Sequence, residues 1–334
     1  MKVKEKKNKF TPLTIVLLVF LIIYCLSFFY LLSWGLFTSF KVSRAVFELD
    51  RYGFFIDYDR YLNMWDPNVD SDRLNGIALI KAKNEMGIFL PFYTYKNIFS
   101  QFTKLTDAMP GHPPREVGIP EMYLYTLLYA GGCAFVNTFV PCITAYACAR
   151  FNYKFSKFIH TLVIIVMMIP IVGSLPSEIV VATKTGVMNQ IWGLWIMKAN
   201  FLGLYFLVFY DVCKALPTSF SEAAKIDGAN NFQIFFQIAL PLLKNTFLTI
   251  LLIRFVFFWN DYQTPMVFMP SYPTIAIGLN NIMNTNADST RPFDHTPIPS
   301  RMSAVVMTAL PVCVLFAIFQ QRLLGNLTVG GVKG

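Results

Sequence analysis

The chain has 334 residues, of which 55% are hydrophobic and only 14% charged, whereas a soluble domain carries about 25% charged residues. That composition argues against a soluble globular domain and for a polytopic membrane protein. The net charge of +9 would suit nucleic acid in a soluble protein; here it fits basic residues gathered at cytoplasmic membrane edges.

The basic start MKVKEKKNK places the N-terminus in the cytoplasm. Residues 11–40 then carry no charge. Spanning takes about 20 apolar residues and a signal-peptide core about 7–15, so this run reads as a retained helix. Residues 41–118 are nearly balanced in charge and mix aromatic with charged residues, as in RYGFFIDYDRYLNMW at 51–65. They read as an extracellular loop or small folded cap.

A second uncharged run, Met122 to Ala149, ends at Arg150, and Lys154 and Lys157 complete an inward-facing basic step. Further runs cover about Phe158–Leu175, Ile191–Tyr210 (interrupted by Lys198), Asn245–Met266 (containing Arg254) and Met302–Gln321, closed by Arg322. Residues 270–301 read as an outer loop. The fold class is therefore all-α: six transmembrane helices with both termini cytoplasmic, a membrane core over 119–322 and a tail over 323–334. Pro141, Pro170 and Pro311 fall inside spans and permit kinks. The six cysteines lie in or beside apolar runs without metal-like spacing, which predicts free thiols packed as small apolar groups. The three histidines are scattered, so no metal site is expected.

Residues 215–244 are too polar and too broken to span. Pro217 breaks the preceding helix, and Ser219 to Glu222 has the S-x-x-E spacing of a capping box. That start predicts a short helix with Phe220, Ala223 and Ala224 on one face. Gly228 supplies a left-handed stop. A second helix is predicted from about Asn230, with Phe232, Phe235, Phe236 and Ala239 on one stripe, ended by Pro241 before the fifth span. The result is a bent cytoplasmic pair with an apolar face and nothing obvious in the chain to bury it. It can lie on lipid or seat in a partner's groove.

The stretch EAAKIDGANNFQIFFQIALP at 222–241 resembles the EAA loop of ATP-binding-cassette importer permeases, matching at Glu222, Ala223, Ala224, Asp227, Gly228, Ala229, Ile238, Leu240 and Pro241. TSFK at 38–41, AYACARF at 145–151, MMIP at 167–170, WND at 259–261 and the ending LTVGGVKG resemble the carbohydrate-uptake branch, the maltose-type second permease subunit. The resemblance spans nearly the whole chain except most of 44–118. It implies a type I importer permease fold in a bacterial cell membrane. It also implies that the loop is a coupling helix lodged in a cleft of a separate ATPase. Glu222 would then pair with a basic ATPase residue, Ala223 and Ala224 would allow close approach, Gly228 would set the bend, and Phe232 and Phe235 would belong to the coupling face. The partners implied are a second permease, two ATPase subunits that bind ATP and Mg, an extracellular substrate-binding protein, a carbohydrate and membrane lipid, with no nucleic acid and no cofactor in this chain. Gly325, Gly330 and Gly331 would let the tail reach between the ATPase subunits, unless it simply frays.

The chain has no G-x-x-x-x-G-K-[ST] element with which to cradle a nucleotide. A gradient-driven carrier would place carboxylates at mid-membrane, but Glu178, Asp211 and Asp261 all fall at span edges. A membrane-embedded enzyme would need a nucleophile and base or a metal constellation, and neither is visible. Both rivals are disfavoured. Trp259, Asn260, Asp261 and Arg254 are candidates for a translocation path; the alternative for the internal charges Arg254 and Lys198 is snorkelling or pairing at a subunit interface. The outer material over about 48–85 is longer than the family pattern and is expected to contact the binding protein, or merely to pack on the spans.

Overall fold

A computed structural model describes residues 12–40, 117–151, 153–169, 173–284 and 298–327. The outer segment over 48–85, Pro170 and the end of the tail lie outside the described residues, so the readings made of them are not addressed by it. Every element among the described residues is helical: α1 (Pro12–Ser39), α2 (Ile119–Arg150), α3 (Lys154–Met168), α4 (Leu175–Lys184), α5 (Ile191–Met197), α6 (Leu204–Ala215), α7 (Ser219–Ile226), α8 (Asn231–Asn260), α9 (Gln263–Phe268), α10 (Ile275–Asn284) and α11 (Ile298–Leu327).

Four of these are long and apolar enough to cross a membrane, over Leu13–Ser39, Ile119–Arg150, Asn231–Asn260 and Arg301–Phe319. They coincide with the first, second, fifth and sixth runs read from sequence. The other two runs are built differently. Residues 158–175 take in most of α3 and the first residue of α4. Residues 191–210 are not one helix but two, α5 and α6, parted between Met197 and Leu204. The break is tolerated because its backbone groups find side-chain partners: Asn137 Nδ2 of α2 donates to the Lys198 carbonyl at 2.9 Å, and Asn200 Oδ1 accepts the Leu202 N–H at 2.8 Å. Hydropathy alone gives no warning of such a rescue.

Two further boundaries differ from expectation. The fifth run was expected to continue to Met266, but α8 stops at Asn260. There Asp261 turns extended and its Oδ1 accepts the Thr264 N–H at 3.1 Å, restarting the chain as α9. The outer loop expected over 270–301 is also partly helical, because IAIGLNNIMN forms α10. Its start is fixed where the Ile275 N–H donates to Thr126 Oγ1 of α2 at 2.9 Å, and Thr274 to Ile277 are buried.

The chain divides into two compact units. In the first, residues 13–32 of α1 are exposed along their whole length, as a helix bathed in lipid would be. Near its end, Ser303 Oγ of α11 donates to the Ser39 carbonyl at 2.6 Å. In the second unit α2 is the central beam, packed against α8 and α6. Its small residues Ala134, Cys142, Ala145 and Cys148 are buried, which lets neighbouring backbones come close. The core joins Cys142 and Tyr146 of α2, Val163 of α3, Phe206, Phe209 and Cys213 of α6, and Phe235, Leu243 and Ile250 of α8. All six cysteines are free thiols, with four of them buried, as their apolar settings predicted.

Gly132 shows how tightly the beam is packed. A Cβ there would sit 2.1 Å from Trp195 Nε1, whose N–H donates to the Leu128 carbonyl at 3.0 Å. Gly132→Ala must therefore push the indole off α2 and break that bond, at a cost of about 1–3 kcal/mol from overpacking. Thermal unfolding of the detergent-solubilised protein should show a lower midpoint for this variant. Gly131→Ala, with nothing within 4 Å of the added carbon, should show almost no change.

Candidate functional site

The segment after α6 folds as a two-limbed elbow. Pro217 pushes Leu216 into extended backbone (φ −67°, ψ 136°), which ends α6. α7 then begins at Ser219 with Thr218 at its N-cap. The expected Ser219–Glu222 capping box does not form, because Ser219 is already the first helical residue; Ser221 Oγ instead donates back to the Thr218 carbonyl at 2.8 Å.

The stop at Gly228 is as predicted, with φ +83°. Its N–H donates to the Lys225 carbonyl at 3.1 Å and the Ala229 N–H to the Ala224 carbonyl at 2.9 Å, the paired bonds of a Schellman ending. The capping box lies one limb later, at Asn230 and Gln233, whose side chains and backbone N–H groups exchange two bonds of 2.8 Å. The N-x-x-Q spacing of 230–233 was a readable signal for it.

Pro241 does not end the second limb. The limb runs on as α8 into the fifth span, a single helix over Asn231–Asn260. The strain is absorbed by a π-helical stretch, Ile234–Ala239, closed by a Leu240 N–H to Phe235 carbonyl bond. The wider turn relieves the clash a proline ring makes with the carbonyl four residues back. The second limb is therefore continuous with a candidate span, with no loop between them.

Burial sorts the candidate residues into two sets. Ala224, Phe235 and Ala239 are buried, and Ile238 and Leu240 are half-buried. Phe235 packs 5.0 Å from the Tyr146 ring and 6.4 Å from Phe139, both on α2, so part of the face expected to lack cover is covered by this chain's own helix. Glu222, Ala223, Asp227, Gly228, Phe232 and Pro241 are exposed, with Ala229 between the two sets. Ile226 is 87% exposed and Phe232 73%, so the tip of the elbow presents two large apolar side chains beside two carboxylates. Sequence periodicity had not singled out Ile226, because it lies off the Phe220–Ala223–Ala224 face.

The four path candidates are placed around the end of α8 and are not one cluster. Trp259 is buried, with its Nε1 donating to the Thr308 carbonyl at 3.1 Å, so its ring serves packing in this conformation. Asn260 is exposed and donates to the Val256 carbonyl at 2.8 Å. Asp261 Oδ2 accepts the Tyr129 hydroxyl at 2.8 Å, tying the end of α8 to α2. Arg254 is half-buried, its guanidinium 4.4 Å from the Tyr205 ring centre and 5.7 Å from that of Phe257. Its Nε is buried and has no hydrogen-bond partner among the described residues. Among those residues no His, Cys, Asp and Glu grouping could hold a metal.

Comparison with known proteins gives a consistent set of similarities. A family model described as binding-protein-dependent transport system inner membrane component matches residues 138–327, which contain the whole elbow. The chain is 30% identical to the melibiose/raffinose/stachyose import permease protein MelC of Bacillus subtilis, over 64% of this chain and 75% of that protein. It is 29% identical to the maltodextrin transport system permease protein MalD of Streptococcus pneumoniae, over 75% of this chain and 83% of that protein. A chain from the crystal structure of a bacterial ABC transporter involved in import of the acidic polysaccharide alginate superposes with a TM-score of 0.51, covering 77% of this chain and 99% of that one. At 20% identity that likeness concerns the fold alone.

Proposed function

This chain belongs to the family of binding-protein-dependent transport system inner membrane components, and from that membership we propose that it is the permease subunit of an ATP-driven importer of an oligosaccharide. It is a multi-pass protein of the cell membrane and carries out transport, not covalent chemistry. In the proposed assembly it has six spans and cytoplasmic termini, pairs with a second permease, sits on two ATPase subunits and receives cargo from an external binding protein. The observation that carries the reading is the elbow of α7 and α8. It lies inside the family match, is bent at a left-handed glycine, and exposes Ile226 on its first limb and Phe232 on a second limb continuous with a span. A lipid-lying hook would need no such rigid continuity.

The carbohydrate assignment rests on the relatives, whose named cargoes are melibiose, raffinose, stachyose and maltodextrin. Cells lacking this chain should lose uptake of one such labelled sugar and regain it on complementation. Unchanged uptake of all four in the deleted cells would exclude them as its cargo.

Arg254 is proposed to face the translocation path. Arg254 lies within two turns of the end of α8, a cation inside an apolar span is costly, and no carboxylate pairs with this one among the described residues. Its retention then needs a functional reason. Arg254→Leu should leave the amount of inserted chain equal or higher and lower uptake per chain about tenfold. Full uptake would assign Arg254 to packing on Tyr205.

A further inference from the structure

Arg150 closes the second span, and charge distribution alone explains a basic residue there. Its geometry asks for more. The side chain does not point into solvent: Nη2 donates to the carbonyl of Leu216 at 2.9 Å, and Nε is buried with no partner among the described residues. Leu216 is the residue that Pro217 holds extended, so its carbonyl has left the α6 ladder. The charged donor brought to this carbonyl comes from another helix, 66 positions away in sequence.

One turn earlier on α2, Tyr146 packs its ring 5.0 Å from Phe235. Successive turns of one helix therefore grip the two limbs of the elbow separately: Tyr146 holds the second limb through an apolar contact, and Arg150 holds the root of the first through a charge-assisted bond. Between the limbs lies a groove lined by Tyr146, Arg150, Pro217, Phe220, Ile238 and Leu242. The apolar contact tolerates sliding, whereas a bond to one carbonyl fixes an angle.

We propose that Arg150 is a positioning residue, a strut that fixes the root of the elbow on α2 so that movement of the elbow is delivered to the second span as well as to α8. The inference rests on the elbow acting as the link to an ATPase. Without the strut the junction at Leu216, where the elbow leaves α6, can shift against α2, and motion of the motor is absorbed before it reaches α2. Arg150 touches neither nucleotide nor cargo in this account, and its effect is on the transfer of motion.

The test uses the whole transporter in nanodiscs. ATP hydrolysis is measured with and without the binding protein, with raffinose or maltodextrin as cargo. The readout is the ratio of stimulated to unstimulated hydrolysis per assembled complex, which a residue that merely stabilises the fold leaves unchanged while lowering yield. Arg150→Gln should lower that ratio about tenfold with the complex still assembled, and Arg150→Lys, which keeps one charged donor, should restore part of it. A wild-type ratio in Arg150→Gln while Gly228→Pro abolishes stimulation would overturn the strut and leave the coupling role standing. A wild-type ratio in both variants would overturn the coupling role itself. If Arg150→Gln fails to assemble, Arg150→Lys decides: a reduced ratio supports the strut, a full ratio overturns it, and failure of both to assemble overturns it by making Arg150 a folding residue.

Discussion

Gly228→Pro should abolish binding-protein-stimulated ATP hydrolysis and cargo uptake while leaving the chain inserted in the membrane in normal amount. Gly228 sits at φ +83°, and proline is locked near −65°, so the native turn is closed to it. The substitution also deletes the N–H that donates to the Lys225 carbonyl at 3.1 Å, undoing half of the Schellman ending. The local cost is about 3 kcal/mol or more, ample to unwind a helix of 8 residues. Insertion is spared because the spans α2 and α8 are set by apolar length, to which the tip contributes nothing. Gly228→Ala keeps the N–H and strains only φ, at about 1–2 kcal/mol, so it should impair stimulation partially. The ordering glycine, alanine, proline is the signature of a conformational requirement at this position.

The double variant Ile226→Asp, Phe232→Asp should fail to hold the ATPase at all. These side chains are 87% and 73% exposed and flank the bend, one on each limb. Apolar anchors seated in a partner's pocket commonly carry about 2 kcal/mol or more each, and about 1.4 kcal/mol is tenfold in affinity. Loss of both therefore predicts an association weaker by nearly a thousandfold, about 4 kcal/mol. A carboxylate buried in their place adds a desolvation penalty. Co-purification of the ATPase with the tagged permease should drop to background, while thermal stability of the isolated permease stays unchanged or rises. Phe235→Asp should behave oppositely, since Phe235 packs on Tyr146 inside this chain: it should damage the permease itself.

The elbow was legible in sequence where a residue type has one structural use. Gly228 was readable as a left-handed stop because few other residues take that backbone at low cost. The long uncharged runs of α1 and α2 were readable because length and hydropathy suffice. What failed to be legible depended on contacts between distant residues. The split of α5 from α6 rests on Asn137, more than sixty positions away, supplying a bond to Lys198. Pro241 reads as a terminator until a π-helical stretch opens room for its ring. Ser219 and Asn230 both fit a capping box by spacing, and Pro217 and the backbone at Thr218, not the spacing, decide that only Asn230 forms one. Arg150 carries a second duty that charge counting cannot reveal, because its partner is a backbone carbonyl with no side-chain signature.

The division of the path candidates follows the same pattern. Trp259, Asn260 and Asp261 are consecutive, yet one packs against the Thr308 backbone, one faces out, and one bonds Tyr129 on the second span. Adjacent residues at a helix end point in three directions, so a short motif there does not make a site by itself. Arg254 is separated from them by more than a turn, and its Nε has no hydrogen-bond partner among the described residues.

The most direct measurement places a photo-reactive side chain at Ala223, exposed on α7, in the assembled transporter within its native membrane. Irradiation should give one dominant cross-link, to the ATPase subunit, whose yield changes between nucleotide-free and ATP-bound conditions. Cross-links only to phospholipid, or only within this chain, under both conditions would contradict the elbow's role as the link to the motor.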